Sequence, residues 1–331
     1  MPEQRPASLA AMSDLRTPWC IHVVATLRIA DHIAAGTTDV AGLAEWAMCD
    51  AAALHRVLTH LASQGVFVET TPGEFALNDL SRELIEPSLR IGLDLDAIGG
   101  RMAHAWGTLL TYVRTGRPAY QELFGRPFWE DLDAHPDVAA SFDALIGPIG
   151  HGIPNASFEI ADGWEAVSTV VDVGGGTGAL LGELLRLRPH LRGTLVDLPR
   201  TVGRSSDIFR ASGVTERVLT VGQSFFDPLP SGADVYLLKS VLNDWPDREA
   251  TALLARCAEA ARPGGGRVVV LSGVSEEERA RGVEIESVLC GGHHRTLPQF
   301  RELARAAKLE VSSAGQQESG YFVVECRAGR S

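Results

Sequence analysis

The feature that most constrains this chain is a run of glycines directly after a short apolar segment, Val171-Asp172-Val173-Gly174-Gly175-Gly176-Thr177-Gly178. The apolar segment predicts a buried strand, and the glycines allow the backbone to approach a ligand closely. Further strand-like segments follow up to residue 271 and alternate with segments of helical spacing. This alternation predicts a parallel sheet with crossover helices, which binds ligands at the carboxyl ends of its strands. We therefore expect a Rossmann-like α/β domain over residues 166–331.

The last part of this domain predicts one further helix over residues 297–311 and a final strand over residues 320–327. Residues 96–165 predict a helical segment with scattered aromatic side chains. Trp106, Phe128, Trp129 and Phe142 either line an apolar substrate pocket or fill the core. The residue types alone leave both interpretations open.

Residues 10–86 predict helices followed by a two-stranded hairpin. Apolar residues at helical spacing predict one helix over residues 17–33, and Asp39 and Asp50 are positioned to cap the next two helices. Alternating residues around Pro72-Gly73 predict the hairpin. This winged-helix pattern often reads DNA, but the first 100 residues hold six Arg, no Lys and 13 acidic residues, whereas a DNA reader is basic. We interpret residues 1–95 as a winged-helix dimerisation domain.

Composition narrows the range of partners. The formal charge of −12 disfavours a nucleic acid partner, because binding to phosphates draws on Lys and Arg. Five cysteines without a Cys-x-x-Cys pair disfavour a disulfide framework and a zinc cluster. The N-terminus lacks the layout of a signal peptide, and no apolar run reaches the ~18 residues that span a bilayer. We expect a cytoplasmic protein without a membrane or metal site.

The glycine run by itself leaves the ligand open. With Ala179 it also fits the G-x-G-x-x-G/A pattern of enzymes that bind a dinucleotide. Asp172, two residues before the first glycine, instead favours a ligand that carries an ammonium group. Asp197, at the end of the second strand, suits the ribose hydroxyls of either ligand.

The wider pattern resembles a known family. The segments VVDVGGGTGALLGELLRLRP, GTLVDLP, GQSFFDPLP, LLKSVLNDWPDREATALLARCAEAARPGGG and GGHHRT occur in that order. Together they resemble the plant and bacterial small-molecule O-methyltransferases, which use S-adenosylmethionine, release S-adenosylhomocysteine and form homodimers through a winged-helix domain. The resemblance implies a cofactor site made by Asp172, Gly174, Gly175, Gly176, Asp197, Leu198, Ser224, Phe225, Lys239, Ser240 and Trp245.

The resemblance fails at the catalytic base. The family has a His where this chain has Asn243, and an Asn side chain has no basic site near neutral pH. The two carboxylates that hold the family's His are replaced here by Ser272 and His294. Three hypotheses treat the chain as an enzyme: methyl transfer mainly by proximity and desolvation, a base supplied by His293 or His294, or a fold repurposed for decarboxylation, hydroxylation or rearrangement. A scaffold that binds the cofactor without chemistry is a fourth reading.

The resemblance also implies a flat aromatic acceptor. The Asn-Asp-Trp tripeptide is similar to that of naphthoate methyltransferases within the family, which implies a polyketide-derived hydroxy acid in antibiotic biosynthesis. In the swapped dimers of the family, the segment at Arg16 reaches the partner's pocket, where an Arg can pair with a substrate carboxylate; otherwise Arg16 is a solvated helix residue. The implied substrate-binding residues are Arg16, Trp106, Phe128, Trp129, Phe142, Ile146, Ile285, Leu289 and His293.

Overall fold

A computed structural model describes residues 8–276 and 282–328. The chain falls into two compact units. The N-terminal unit is Met1–His104 with Asp137–Leu145, and the C-terminal unit is Ala105–Pro136 with Ile146–Ser331. The segment that the sequence assigns to residues 96–165 is thus shared between the two units. Every helix among the described residues is too short or too polar to span a lipid bilayer.

The N-terminal unit is a set of short helices with one hairpin. Before the chain first enters the C-terminal unit, it forms α1 (Leu9–Met12), α2 (Arg16–Thr26), α3 (Ile29–Ala34), α4 (Val40–Trp46), α5 (Ala51–Ser63), β1 (Phe67–Thr71), β2 (Glu74–Leu77), α6 (Asp79–Arg82), α7 (Pro87–Leu93) and α8 (Ile98–Ala105). The expected caps are confirmed, because Asp39 accepts from the Gly42 amide and Asp50 from the Ala53 amide. The antiparallel hairpin is confirmed as well.

The single helix expected over residues 17–33 is wrong, because the chain forms α2 and α3 in its place. Arg28 lies between them with a φ of 55°, a left-handed conformation that ends one helix and redirects the next. Both helices still bury apolar side chains, including Val24 and Ile29, in a core shared with α5 and the hairpin. Helical spacing survives the break, so the sequence pattern does not reveal it.

The helical segment continues into the C-terminal unit and ends earlier than expected. Its remaining helices are α9 (Leu109–Thr115), α10 (Tyr120–Phe124), α11 (Phe128–Ala134), α12 (Pro136–Ile146) and α13 (Pro148–His151). Residues 152–168 contain no helix, so the expected helical region up to residue 165 is wrong in its last part. Gly152, Pro154 and Gly163 disfavour a helix there, while Phe158 and Trp164 still bury their rings.

A largely parallel sheet forms the centre of the C-terminal unit. Its strands are β3 (Thr169–Val173), β4 (Arg192–Asp197), β5 (Val218–Gly222), β6 (Val235–Lys239), β7 (Arg267–Leu271), β10 (Leu309–Gln316) and β11 (Phe322–Ala328). Within the described residues it has seven strands in the order β10-β11-β7-β6-β3-β4-β5. Strands β3 to β7 are parallel, and β10 and β11 run antiparallel to their neighbours. The expected Rossmann-like α/β domain is confirmed.

Strand β10 was not predicted from the sequence. The helix expected over residues 297–311 is α19 (Leu297–Ala306), and Lys308 then takes a φ of 61°, which ends the helical path. Strand β10 alternates exposed residues with residues that are partly or, at Leu309, fully buried, but its small polar residues give a weak apolar pattern. It pairs with β11 along its whole length.

Helices cover both faces of the sheet. They are α14 (Ala179–Leu187), α15 (Pro199–Val202), α16 (Ser205–Ala211), α17 (Asp247–Ala261) and α19, with α18 (Ile285–Leu289) and the short pair β8 (Val274–Ser275) and β9 (Arg295–Thr296) beyond β7. Leu253 and Phe300 belong to the core on one face, and Leu181 and Phe209 to the core on the other. The carboxyl ends of β3, β4 and β6 therefore meet at one edge, which carries the glycine loop.

Candidate functional site

The glycine loop follows β3, and at Gly174 and Gly175 it packs too closely for a side chain. Gly174 and Gly176 have φ values of 68° and 61°, which favour glycine. A Cβ on Gly174 would lie 2.9 Å from Cγ2 of Val241, and one on Gly175 would lie 2.4 Å from Oδ2 of Asp172. At Gly176 a Cβ would meet open space. The loop therefore presents its backbone, and not side chains, at the edge of the sheet.

Asp172 is a buried acid beneath this loop. Its side chain is 1% exposed, and neither carboxylate oxygen has a hydrogen-bond partner within the part of the chain that the structure describes. Burial, reinforced by the charge of Asp197 and opposed by Lys239, raises the pKa of Asp172 to about 7. A buried carboxylate without a donor is costly. The residue suits a cationic ligand group that completes its contacts.

Asp197, at the end of β4, orders the backbone around the loop. One of its carboxylate oxygens accepts from the Gly176 amide at 2.8 Å, and the other accepts from the Leu198 amide at 2.7 Å. Oxygen lone pairs remain on such a carboxylate after one bond to each atom. The group can therefore receive further donors, such as ribose hydroxyls.

Aromatic rings border the same edge. The ring of Phe225 meets that of Trp245 edge-on at 5.8 Å, and Trp129 stacks on Trp245 at 5.7 Å with 20° between the planes. Phe225 also lies against the Gly174 position. Next to Phe225, the Ser224 hydroxyl accepts from the Phe226 amide at 3.2 Å. These apolar surfaces suit a flat ring.

A line of charges runs from the loop towards α18. Burial lowers the pKa of Lys239, and the charges of Asp172 and Asp244 oppose that shift. Burial, and then the charge of Glu286, raises the pKa of Asp244 well above its usual range, with Lys239 opposing. Ser240 follows Lys239 at the end of β6. The positive charge of Lys239 thus partly offsets the negative charges of Asp172 and Asp244.

Two non-glycine residues take left-handed backbone conformations at this edge. Ser240 has a φ of 56°, and Ser272, directly after β7, has a φ of 67°. The Ser240 amide donates to the Leu271 carbonyl at 2.9 Å, which ties the two strand ends together. Such conformations cost a serine free energy. They mark strand ends whose backbone direction is imposed by the surrounding fold.

Asn243 lies in a short 3-10 turn, Leu242–Asp244. Its side chain is 7% exposed, and Nδ2 donates to Oδ1 of Asp244 at 3.2 Å. Oδ1 is buried without a partner within the described residues and faces the Gly273 position, where a Cβ would lie 3.0 Å away. The amide is thus held in place but has no basic atom.

The two adjacent histidines point to different acids. Nδ1 of His294 lies 2.6 Å from Oε2 of Glu284, and Nε2 of His293 lies 3.5 Å from Oδ1 of Asp247. Asp247 also receives two bonds from Arg295, at 2.9 and 2.8 Å. Burial and the charge of Arg295 lower the pKa of His293, with Asp247 opposing. His294 therefore contacts Glu284, whereas His293 shares Asp247 with Arg295.

The residues expected to bind substrate lie in both units. Arg16 and Phe142 belong to the N-terminal unit, where the Arg16 side chain is exposed. Six lie in the C-terminal unit in addition to His293, namely Trp106, Phe128, Trp129, Ile146, Ile285 and Leu289. Trp106 and Ile146 are exposed, whereas Phe128 and Leu289 are buried. The residues of α18 contact both α9 and the turn at Trp106–Thr108.

Two residues of this region were missed by the sequence analysis. Glu284 lies ten positions before His294, and no motif links them. Arg295 is 2% exposed and donates to the carbonyls of Leu242 and Trp245, both at 2.8 Å. A buried Arg that fastens a turn gives no periodic signal in the sequence, and the only nearby signal is the pair of histidines that precedes it.

Comparison with known proteins identifies the family. A family model described as an O-methyltransferase domain matches residues 106–309. A 2,7-dihydroxy-5-methyl-1-naphthoate 7-O-methyltransferase of Streptomyces carzinostaticus is 39% identical over 92% of this chain and 93% of that protein. An aclacinomycin 10-hydroxylase of Streptomyces purpurascens is 37% identical over 92% of this chain and 84% of that protein.

A solved structure agrees with these matches over 98% of this chain. It is the crystal structure of an O-methyltransferase from neocarzinostatin biosynthesis in complex with S-adenosylmethionine and 2-hydroxy-5-methyl naphthoic acid. The two chains are 38% identical and superpose with a TM-score of 0.89, covering 98% of this chain and 100% of the other. The family resemblance seen in the sequence motifs is confirmed, and this chain belongs to the O-methyltransferase family.

Proposed function

We propose that this protein transfers a methyl group from S-adenosylmethionine to an aromatic hydroxyl of a small secondary metabolite, a hydroxy acid of the naphthoate type. The observation that best supports binding of this cofactor is Asp172, whose buried carboxylate has no donor among the described residues and lies under a loop where Gly174 and Gly175 leave no room for a Cβ. The ammonium group of the methionine part would complete the contacts of Asp172. Family membership and the naphthoate relatives support the reaction and the substrate class.

The other cofactor residues suit the remaining parts of the same molecule. The glycine backbone at Gly174–Gly176 would contact the methionine part, and Asp197 would receive the ribose hydroxyls. Leu198, Ser224 and Phe225 would surround the adenine, with Trp245 closing one side. Lys239 and Ser240 complete the set at the end of β6. Bound S-adenosylmethionine supplies a methyl group that the positive charge on sulfur already activates.

The chain itself contributes mainly proximity and desolvation. A phenol is ionised about one part in a thousand at neutral pH, a cost of roughly 4 kcal/mol. Alignment of two reactants in one site supplies roughly 7–11 kcal/mol in favourable cases. The stacked rings of Trp129 and Trp245 and the α18 residues Ile285 and Leu289 would hold a flat acceptor in place. Asn243 would orient it without taking its proton.

The deciding experiment follows S-adenosylhomocysteine by mass spectrometry with a panel of aromatic hydroxy acids and simple phenols. We expect release that depends on one acceptor, with a product heavier by one methyl group. Asp172→Asn should lose binding of the cofactor, whereas Asp207→Asn, at an exposed position on α16, should not. Cofactor binding without S-adenosylhomocysteine across the panel would contradict methyl transfer.

A second candidate is a fold repurposed for a reaction other than methyl transfer. The aclacinomycin 10-hydroxylase that matches this chain supports it, as does the loss of a basic side chain at Asn243. The same assay separates the two candidates, because hydroxylation would give a product heavier by one oxygen atom and leave S-adenosylmethionine intact.

We also propose that residues 1–95 form a winged-helix dimerisation domain, that residues 96–165 carry part of the substrate pocket, and that the protein is a cytoplasmic homodimer. Large apolar side chains of the N-terminal unit support dimerisation because they are exposed: Leu9, Met12, Leu15, Trp46 and Met48. Light scattering should give twice the mass of the chain, and a monomer would contradict this. Arg16 would pair with a substrate carboxylate, so Arg16→Ala should raise KM for acids but not for neutral phenols.

A further inference from the structure

We propose that His294, held in place by Glu284, accepts the proton of the acceptor hydroxyl, and that Glu284 is its positioning residue. The proposal rests on the proposed function and adds to the effect of proximity. Nδ1 of His294 lies 2.6 Å from Oε2 of Glu284, and the two side chains are 22% and 26% exposed. The pair is thus partly shielded from water but still open to a ligand.

The backbone on both sides of His294 is fastened to the turn that holds Asn243. Gly292 packs so tightly that a Cβ there would lie 2.0 Å from the Asn243 carbonyl oxygen. Arg295 donates to the carbonyls of Leu242 and Trp245 on either side of that turn. The backbone that carries His294 is therefore held beside the turn of Asn243, the position where the family has its His.

A second set of contacts places the same backbone beside the Asn243 side chain. The Arg295 amide donates to the Gly273 carbonyl at 3.0 Å. A Cβ on Gly273 would in turn lie 3.0 Å from Oδ1 of Asn243. The peptide that joins His294 to Arg295 is thus separated from the Asn243 amide by only one glycine.

The contact with Glu284 prepares the imidazole for proton transfer. A carboxylate only accepts, so Nδ1 carries the ring proton and Nε2 presents a lone pair. Nε2 has no hydrogen-bond partner among residues 8–276 and 282–328. This is the arrangement of an oriented general base, with a carboxylate that stabilises the imidazolium once it forms. His293 lacks it, because its nearest acid, Asp247, is already bonded twice by Arg295.

Glu284 reaches His294 because the intervening chain folds back on itself. Glu284 is the residue before α18, and the Ser287 hydroxyl in that helix donates to the Gly292 carbonyl at 3.1 Å. The same helix carries Ile285 and Leu289, which would contact the acceptor. One short segment, residues 284–294, therefore supplies the proposed base, the acid that positions it and the apolar side chains proposed to contact the acceptor.

Proton transfer to His294 accompanies methyl transfer in the proposed reaction. The O–H bond of the acceptor breaks, and its proton passes to Nε2 of His294. The oxygen lone pair forms the new O–C bond to the methyl group, while the C–S bond breaks and its electron pair returns to sulfur. The imidazolium pairs with Glu284 and loses its proton to water when the product leaves.

The test compares His294→Ala, Glu284→Gln and the double variant on phenols of graded acidity. General-base catalysis contributes about 10²–10⁴-fold, so His294→Ala should lower kcat by at least about 10²-fold on weakly acidic phenols. It should change kcat little on phenols that are already ionised. Because Glu284 acts through His294, the double variant should lose no more than His294→Ala alone.

A second readout does not depend on turnover. The absorbance of a phenol bound together with S-adenosylhomocysteine reports how much of it is ionised, and this fraction should fall in His294→Ala and in Glu284→Gln. The matched control is Glu69→Gln, which changes the acid of the His55–Glu69 pair in the N-terminal unit, where Nε2 and Oε1 lie 3.3 Å apart. It should leave both kcat and the spectrum unchanged.

Three results would overturn the proposal. They are an equal loss of kcat on ionised and neutral phenols, an additive loss in the double variant, and an unchanged ionised fraction in both single variants. If the wild type binds phenols but forms no S-adenosylhomocysteine with any of them, the proposed function fails instead. The spectrum of the bound phenol still decides the role of His294 in that case.

Discussion

Replacing Asp172 by Asn tests two effects of this side chain separately: its effect on the stability of the ligand-free protein and its proposed contribution to ligand affinity. Burial and the charge of Asp197 raise the pKa of Asp172 from 3.8 to about 7, against the effect of Lys239. The unfolded chain releases this proton near its ordinary pKa, whereas the folded protein holds it until near neutrality. The stability that comes from the neutral carboxyl is therefore complete at low pH and is lost as the pH rises.

The magnitude follows from the shift of about three pH units. Stability should fall by about 1.4 kcal/mol per pH unit between about pH 4 and pH 7 and by about 4 kcal/mol in total. The stability of the Asp172→Asn variant should not fall with pH in this way, because an Asn side chain does not titrate. Its buried amide has no partner, which lowers the unfolding free energy by roughly 1–3 kcal/mol at every pH. The prediction therefore concerns how the difference in unfolding free energy between the two proteins changes with pH, and not its absolute value.

The assay is urea unfolding of ligand-free wild type and Asp172→Asn protein between about pH 5 and pH 8. The difference in unfolding free energy should move in favour of the variant by about 3 kcal/mol from pH 5 to pH 7 and then stay level. Asp207→Asn, at an exposed position on α16, serves as the control and should show a much smaller change. A difference that stays constant over this range would refute the raised pKa of Asp172.

Ligand affinity should show the opposite behaviour. To pair with an ammonium group, Asp172 must first give up its proton, so wild-type affinity for S-adenosylhomocysteine should fall by up to about tenfold per pH unit below pH 7. Calorimetry measures this directly. The Asn variant should bind weakly at every pH, and tight binding that is independent of pH in the wild type would contradict the role of Asp172.

Three other substitutions test separate contacts. Gly175→Ala puts a Cβ 2.4 Å from Oδ2 of Asp172, so urea unfolding should show a loss of about 1–3 kcal/mol; Gly315→Ala, whose Cβ meets open space, is the control, and equal losses would contradict the close packing. Asn243→Ala should lower kcat only roughly two- to five-fold, because the amide takes no proton, and complete loss of turnover would argue for a direct role. Arg295→Lys should lower the unfolding free energy by roughly 2–3 kcal/mol, because Lys cannot replace the several bonds of the guanidinium, and unchanged stability would show that the turn holds without them.

Those parts of the structure that depend on residues close together in the sequence could be predicted. Strand β3, the glycine loop and the caps at Asp39 and Asp50 could be predicted because apolar runs, glycine and short side chains act over a few positions. The break between α2 and α3 could not, because Arg28 takes a left-handed conformation that leaves the spacing of apolar residues unchanged. Strand β10 escaped for a related reason, since its stability comes from pairing with a distant strand.

In the candidate site, too, some residues could be predicted from the sequence and others could not. The residues proposed to bind the cofactor lie at or near strand ends, so their positions along the chain imply their positions in space. The pair formed by His294 and Glu284 depends on how residues 284–294 fold back, and the sequence holds no pattern for that path. The fastening of the turn by Arg295 likewise depends on carbonyls some fifty positions away. Such contacts become visible only once the backbone path is known.

The left-handed backbone at Ser240 and Ser272 has a consequence for mutational tolerance. An L-residue in this conformation costs roughly 1–2 kcal/mol, which glycine avoids. In a scan of all substitutions selected only for folding, glycine should therefore outperform serine at both positions, and valine or isoleucine should be the most damaging. In a scan selected for turnover, any preference for serine over glycine would measure what its hydroxyl contributes to the reaction, free of its effect on folding.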